Sequence, residues 1–291
     1  MTLPNFIVIG AAKAGTTVLY WHLAEHPAVF MSAVKETNYF AYGVDDTGRL
    51  LYGDPELHQF PVQSLRDYER LFAGAGESAA IGEASPIYLE CPQAAGRIRG
   101  ALPDARLICV LRHPVERAYS DYQMYLRSRG QRLDPARDLT AGAAWARPDS
   151  HWMRIGRYHP QLARYFAAFP RERIHVFLFD DLRRDTLGTL QQVYRFLGVD
   201  PTFVPDLETP HNVGGMPSNL LLERIFSGPL RTALTPLVPT RAANWVRRLR
   251  AGNMRQAPAL PAELRQELTS HFRDDIVRTS ELVGRSLEHW L

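Results

Sequence analysis

The sequence predicts an α/β fold: a central parallel sheet flanked by helices, followed by a helical C-terminal extension. Three observations carry this. The apolar runs Phe6–Ile9, Arg106–Leu111 and Ile174–Phe179 lack the polar alternation of strands with one wet face. Segments with helical start and stop residues separate them. A glycine-flanked turn, Gly10-Ala11-Ala12-Lys13-Ala14-Gly15-Thr16-Thr17, follows the first run directly. Strands alternating with helices imply right-handed crossovers that cover both sheet faces. Ligands of such folds bind beyond the carboxyl ends of the strands. The Gly10–Thr17 turn, Arg112 and the pair Asp180-Asp181 all follow strand ends, so one sheet edge is expected to gather them.

The elements follow in order. Thr16–His26 reads as a helix stopped by Pro27, and Ala28–Met31 as a short strand. Residues 41–65, rich in Gly, Asp, Tyr and Pro, read as a surface excursion. Ser64–Phe72 reads as a helix with Ser64 as its cap and Asp67 at the third position. Ala79–Glu83 is a brief strand and Pro92–Gly100 a helix. Pro114, suited to a first helical position, opens a helix to about Arg129. Residues 130–155 read as irregular, His159–Phe169 as a helix, and Leu182–Leu197 as one helix ended by Gly198. Residues 200–217 form a connection, and a last helix starts near Ala262.

With 291 residues, 45% hydrophobic and 22% charged, the chain has the apolar mass for one large domain or two small ones. We read residues 1–291 as a single domain, with an α/β core over 1–200 and a loop and helical part over 201–291. A net charge of +3 demands no nucleic-acid partner. Two cysteines make no disulfide framework and suit a reduced compartment. The sequence opens with no basic-then-apolar leader, and its apolar runs are too short for a membrane span. A cytoplasmic protein is the expectation. Nothing in the sequence fixes the oligomeric state.

The motifs narrow the chemistry. A nucleotide triphosphatase loop places its lysine after the second glycine and a Mg²⁺-binding hydroxyl next to it. Here Thr16 stands at that lysine position, and Lys13 lies two residues before Gly15. The loop therefore suits an anion other than Mg-ATP, although Asp180 at a strand end resembles an acidic Mg²⁺ ligand. Arg112 leaves a buried strand and Ser120 lies two turns into the next helix. Together they suit a second phosphate, or else a capping arginine and a surface serine. In Lys35-Glu36-Thr37-Asn38-Tyr39-Phe40, Glu36 is placed as a general base and Asn38 as an orienting group, against the plainer reading of a salt-bridged surface glutamate. Glu83 and Tyr88 read either as acceptor-pocket residues or as a turn with a buried tyrosine.

Lys13-Ala14-Gly15-Thr16-Thr17 with Arg112 and Ser120 resembles the sulfotransferases that use 3′-phosphoadenosine 5′-phosphosulfate (PAPS). The likeness extends over about residues 5–200, through Gly156-Arg157-Tyr158 and Phe179-Asp180-Asp181-Leu182 to Gly198-Val199. It is closest in motif to the heparan-type branch with a glutamate base and to related bacterial enzymes. The resemblance implies a P-loop-like three-layer fold. It implies that Lys13, Ala14, Gly15, Thr16 and Thr17 hold the 5′-phosphosulfate, that Arg112 and Ser120 hold the 3′-phosphate, and that Glu36 is the base. PAPS would be the donor and 3′-phosphoadenosine 5′-phosphate (PAP) the product, with no metal required. Gly214 and Gly215 stand where the family covers its cofactor with a loop, but no lysine or arginine accompanies them. No histidine base is evident. Lys35, Asn38, Glu83 and Tyr88 would meet the acceptor, a carbohydrate, small molecule or lipid. Arginines 231, 241, 247, 248, 250 and 255 read as a lid for an anionic acceptor or a membrane surface, or as a solvated helix face. The rival readings are a kinase or NTPase with a degenerate loop, and an inactive binding homologue.

Overall fold

The computed structural model describes residues 2–43, 50, 52, 59–208, 216–217, 252–255 and 257–291. Five parallel strands form its sheet in the order β2-β3-β1-β4-β5. They are β1 (Phe6–Gly10), β2 (Val29–Met31), β3 (Ala80–Ala84), β4 (Arg106–Leu111) and β5 (Ile174–Leu178). β1 is central and wholly buried, as its unbroken apolar run requires. Phe6 pairs with Gly82 on one side and Arg106 on the other. Gly82 is needed there: a Cβ would stand 2.2 Å from the Phe6 ring. The glycine lets that ring lie across the neighbouring strand.

The helices follow the strands as the pattern predicts. α1 spans Thr16–Glu25 and α2 spans Leu65–Arg70, where Ser64 Oγ accepts from Asp67 N at 3.1 Å. α3 is Ile87–Glu90 and α4 Ala94–Ala101. α5, Pro114–Ser128, starts on the expected proline. The stretch expected to be irregular holds two short helices, α6 (Pro135–Asp138) and α7 (His151–Ile155). Asp134 and Ser150 cap them, accepting from Ala136 N and Met153 N. α8 is Tyr158–Ala168.

Two expected helices are divided. The segment read as Leu182–Leu197 is α9 (Phe179–Arg184) and α10 (Thr186–Leu197). Asp185 breaks it by turning extended and accepting from Gly188 N at 2.8 Å, which caps α10. The final helix is likewise α11 (Ala262–Ser270) and α12 (Arg273–Val283). β6 (Met216–Pro217) and β7 (Met254–Arg255) form a separate antiparallel pair. Arg255 is exposed there. Gly214, Gly215 and arginines 231–250 lie outside the described residues.

The C-terminal part is tied to the core at defined points. Asp275 on α12 accepts from Tyr158 N at 2.8 Å and His159 N at 3.2 Å, which satisfies the start of α8. Arg285 makes a two-pronged ion pair with Asp181. Trp290 is buried, and its carbonyl lies 3.0 Å from His113 Nε2. Burial pushes the His113 imidazole down to about 4, so it is neutral at ordinary pH and donates from Nε2.

Candidate active site

The loop after β1 is shaped for an anion. Lys13 and Gly15 both take left-handed backbone conformations, with φ of 66° and 93°. Gly15 is the N-cap of α1, so no side chain caps the helix, and no acidic residue occupies its first turn. The first N–H groups of α1, from Thr16 and Thr17 onward, are left for a ligand at the positive end of the helix dipole. A Cβ on Gly15 would stand 2.9 Å from Phe179 at the end of β5. Phe179 therefore presses the loop into place, and the guanidinium of Arg112 lies 5.0 Å above the same ring.

Arg112 and Lys13 are joined directly. Arg112 Nη1 donates to the Lys13 carbonyl at 3.0 Å, and Tyr158 OH donates to the Arg112 carbonyl at 2.8 Å. The residues expected to serve two phosphate sites thus share one rim. Ser120 lies partly exposed on α5, the helix that opens directly after β4 and Arg112.

Among the described residues, Lys13 has no carboxylate in contact. Its ammonium donates to the thioether of Met124 at 3.2 Å, a soft and weak acceptor. Burial lowers its pKa from 10.5 to about 8. Arg127 and Arg112 add to that, while Asp121 and Glu36 oppose it. Asp121 is engaged elsewhere, accepting from Arg117 Nη1 at 3.1 Å. Arg117 is fully buried and also donates to the Trp152 carbonyl. Sequence reading passed over Asp121 and Met124. Met124 alone had a signal in its spacing, one turn after Ser120 on the same helix face; Asp121, adjacent to Ser120 in sequence, had none.

Glu36 is exposed and paired with Lys35. Its backbone N–H bonds the Ala84 carbonyl at 3.0 Å, which ties it to the carboxyl end of β3. Glu36 and Asn38 both adopt left-handed backbone, with φ of 63° and 55°. Such residues cost about 1–3 kcal/mol each and persist only where their surroundings hold them. Glu83 is the holding group. Its fully buried carboxylate accepts from Ser85 Oγ at 2.6 Å, Tyr88 OH at 2.8 Å, Thr37 Oγ1 at 2.9 Å and Tyr68 OH at 2.9 Å. Burial raises the Glu83 pKa and the hydroxyl bonds oppose that rise. Ser85 Oγ also accepts from Asn38 N at 3.1 Å. Glu83 and Tyr88 are therefore not on an open pocket wall. They lie in the core beneath Thr37, because an ionisable group at this depth must spend its lone pairs on protein donors. Asn38 is buried too, with its amide donating to the Gln59 carbonyl at 2.6 Å. Lys35 is partly exposed beside Glu36.

The acidic pair past β5 is occupied by the C-terminal part. Arg285 holds Asp181 and depresses its pKa. Asp180 lies 3.5 Å from Trp290 Nε1. Asp181 is thus committed to its arginine partners, while Asp180 stays exposed at the strand end.

A parallel sheet whose first strand ends in a glycine-flanked loop, with a lysine and an uncapped helix start facing one space, defines an α/β protein built to hold an oxyanion. Comparison with known proteins gives the particular one: the chain belongs to the sulfotransferase family, whose family model matches residues 4–203. It is 28% identical to the mouse bifunctional heparan sulfate N-deacetylase/N-sulfotransferase 4 over 99% of this chain, and spans 31% of that protein. It is 26% identical to mouse carbohydrate sulfotransferase 15 over 84% of this chain and 54% of that protein. A sulfotransferase from Alicyclobacillus acidocaldarius has the same fold along its length, with a TM-score of 0.72, 29% identity, and coverage of 100% of this chain and 99% of that one. The chain has the P-loop-like α/β architecture and spans about a third or less of the length of the first of these curated relatives.

Proposed function

We propose that the enzyme moves the sulfuryl group of PAPS to a hydroxyl or amine of a carbohydrate or small-molecule acceptor. The observation that carries this is Lys13, a half-buried ammonium with a thioether for company, beside an uncapped helix start. A site so short of negative charge fits a phosphosulfate. When bound, PAPS supplies an activated sulfuryl group on its 5′-phosphate.

In this reading the acceptor oxygen or nitrogen bonds to sulfur as the sulfur–oxygen bond to the 5′-phosphate breaks. Glu36 takes the acceptor's proton. Lys13 and the N–H groups of Thr16 and Thr17 offset the charge that grows on the leaving phosphate. Arg112 and Ser120 hold the 3′-phosphate, and Lys35 orients Glu36. The acceptor class draws support from relatives named for heparan sulfate and carbohydrate sulfation. The test is a melting-temperature comparison followed by a ³⁵S-PAPS acceptor screen. PAP is expected to stabilise the protein without Mg²⁺. Stabilisation by Mg-ATP alone would overturn the reading.

A further inference from the structure

Lys13 and Met124 meet where the loop after β1 faces α5. The Lys13 ammonium donates to the Met124 sulfur at 3.2 Å. Met124 lies one turn after Ser120 on α5 and is 40% exposed. Among the described residues it is the sulfur-bearing side chain most open to solvent. Met31 and Met153 are only 8% and 1% exposed, and Met254 is partly buried. Cys91 and Cys109 are buried, and burial raises both thiols, so neither offers a thiolate at neutral pH. Sulfur oxidation follows exposure and thiolate character. With no thiolate on offer, exposure decides, and it selects Met124.

The contact with Lys13 gives that oxidation a consequence. A thioether is a soft, weak acceptor, so the ammonium can leave it for a bound anion. A sulfoxide oxygen carries a strong dipole and accepts far better, above all from a charged donor. It would form on the very atom that the ammonium already faces. Among the described residues no carboxylate contacts Lys13 to compete for it.

We propose that Met124 is a site of oxidative modification by a peroxide, and that its sulfoxide captures Lys13 and draws it away from the phosphosulfate. A sulfur lone pair attacks one oxygen of hydrogen peroxide. The S–O bond forms as the O–O bond breaks, and the sulfur is oxidised as the peroxide is reduced. The proton on the transferred oxygen passes to the departing hydroxide, which leaves as water. The capture of Lys13 stands on the contact alone, whereas its effect on the cofactor rests on the sulfotransferase reading of the loop.

The chain holds two lysines, Lys13 and Lys35, so mass spectrometry can follow each after acylation with an N-hydroxysuccinimide ester. The test treats the full chain with dilute hydrogen peroxide. One oxygen is expected on Met124 before Met31 or Met153. Acylation of Lys13 relative to Lys35 is then expected to slow about tenfold, as for one hydrogen bond to a charged group, and PAP to bind about tenfold more weakly. Met124→Leu is expected to show neither change on treatment, each protein being compared with its own untreated sample. Met124→Gln, whose amide oxygen imitates the sulfoxide, is expected to show part of both without peroxide. Reduction by a methionine sulfoxide reductase should reverse both in the oxidised protein. Earlier oxidation of another described sulfur, a Lys13 ratio or PAP affinity unchanged once Met124 carries its oxygen, or the same slowing in Met124→Leu overturns the proposal. Failure of the sulfotransferase reading shows separately, as no PAP-induced rise in the melting temperature of the untreated chain, and the lysine ratio still decides the capture.

Discussion

Lys13 titrates in a useful range because burial works against its charge. With its pKa lowered from 10.5 to about 8, the free protein carries a neutral lysine above that pH. A depressed lysine pKa of this kind disfavours the folded state as pH falls below 10.5, in full below about 8, and an anion against the ammonium relieves it. PAP affinity is therefore expected to fall as pH rises through about 8, with proton uptake on binding at pH 8–9. Calorimetry in two buffers of different ionisation enthalpy reads the uptake, and Lys13→Met should abolish it. Uptake unchanged in that variant would place the proton elsewhere. Glu36→Gln should lower turnover by roughly 10²–10⁴-fold if Glu36 is the base, while PAP affinity stays nearly intact. Wild-type turnover in that variant would remove Glu36 from the mechanism. Both residues were legible in the sequence because loop spacing exposes them. That Met124 meets Lys13 was not, since it stands 111 positions away and only the fold brings it to the ammonium.

At the scale of elements, β3 and the segment after β2 form one unit. Thr37→Val leaves Glu83 short of a donor, which costs about 1–3 kcal/mol. Because Thr37 adjoins the left-handed Glu36, turnover should fall beyond what the stability loss explains. Urea unfolding and steady-state kinetics on the same sample separate the two. Turnover untouched at full folding would mean that the hydroxyl cluster does not position Glu36. Gly82→Val should cost about 1–3 kcal/mol by overpacking against Phe6, and Phe6→Leu in the same chain should recover part of it. No recovery would locate the strain elsewhere. The main strands were legible because each is an unbroken apolar run. α3 and α7 were not, because four or five residues hold too little periodicity to read. Glu83 misled for a related reason. Its hydroxyl partners Tyr68 and Thr37 lie 15 and 46 positions away, so a core carboxylate looked like a pocket carboxylate.

At the scale of the molecule, the C-terminal part braces the strand ends that carry the site. Trp290 meets His113, the residue after Arg112, while Arg285 meets Asp181, two residues past Phe179. Trp290→Ala should cost about 3–5 kcal/mol, as for other buried aromatics, and should weaken PAP binding through the Arg112 rim. Chemical denaturation and a PAP titration check both, and an unchanged PAP affinity would detach the brace from the site. The division of the last helix into α11 and α12 was hidden from the sequence because no glycine or proline marks the break near His271.

The hydroxyl cluster around Glu83 has a spectroscopic consequence as well. Tyr68 and Tyr88 are fully shielded from solvent, and their phenolic protons are committed to one carboxylate. Such protons leave for bulk water slowly enough to give separate, strongly downfield NMR signals. They lie directly under Thr37, so their line positions would report the posture of the Glu36 segment as an acceptor arrives, with no label attached to the protein.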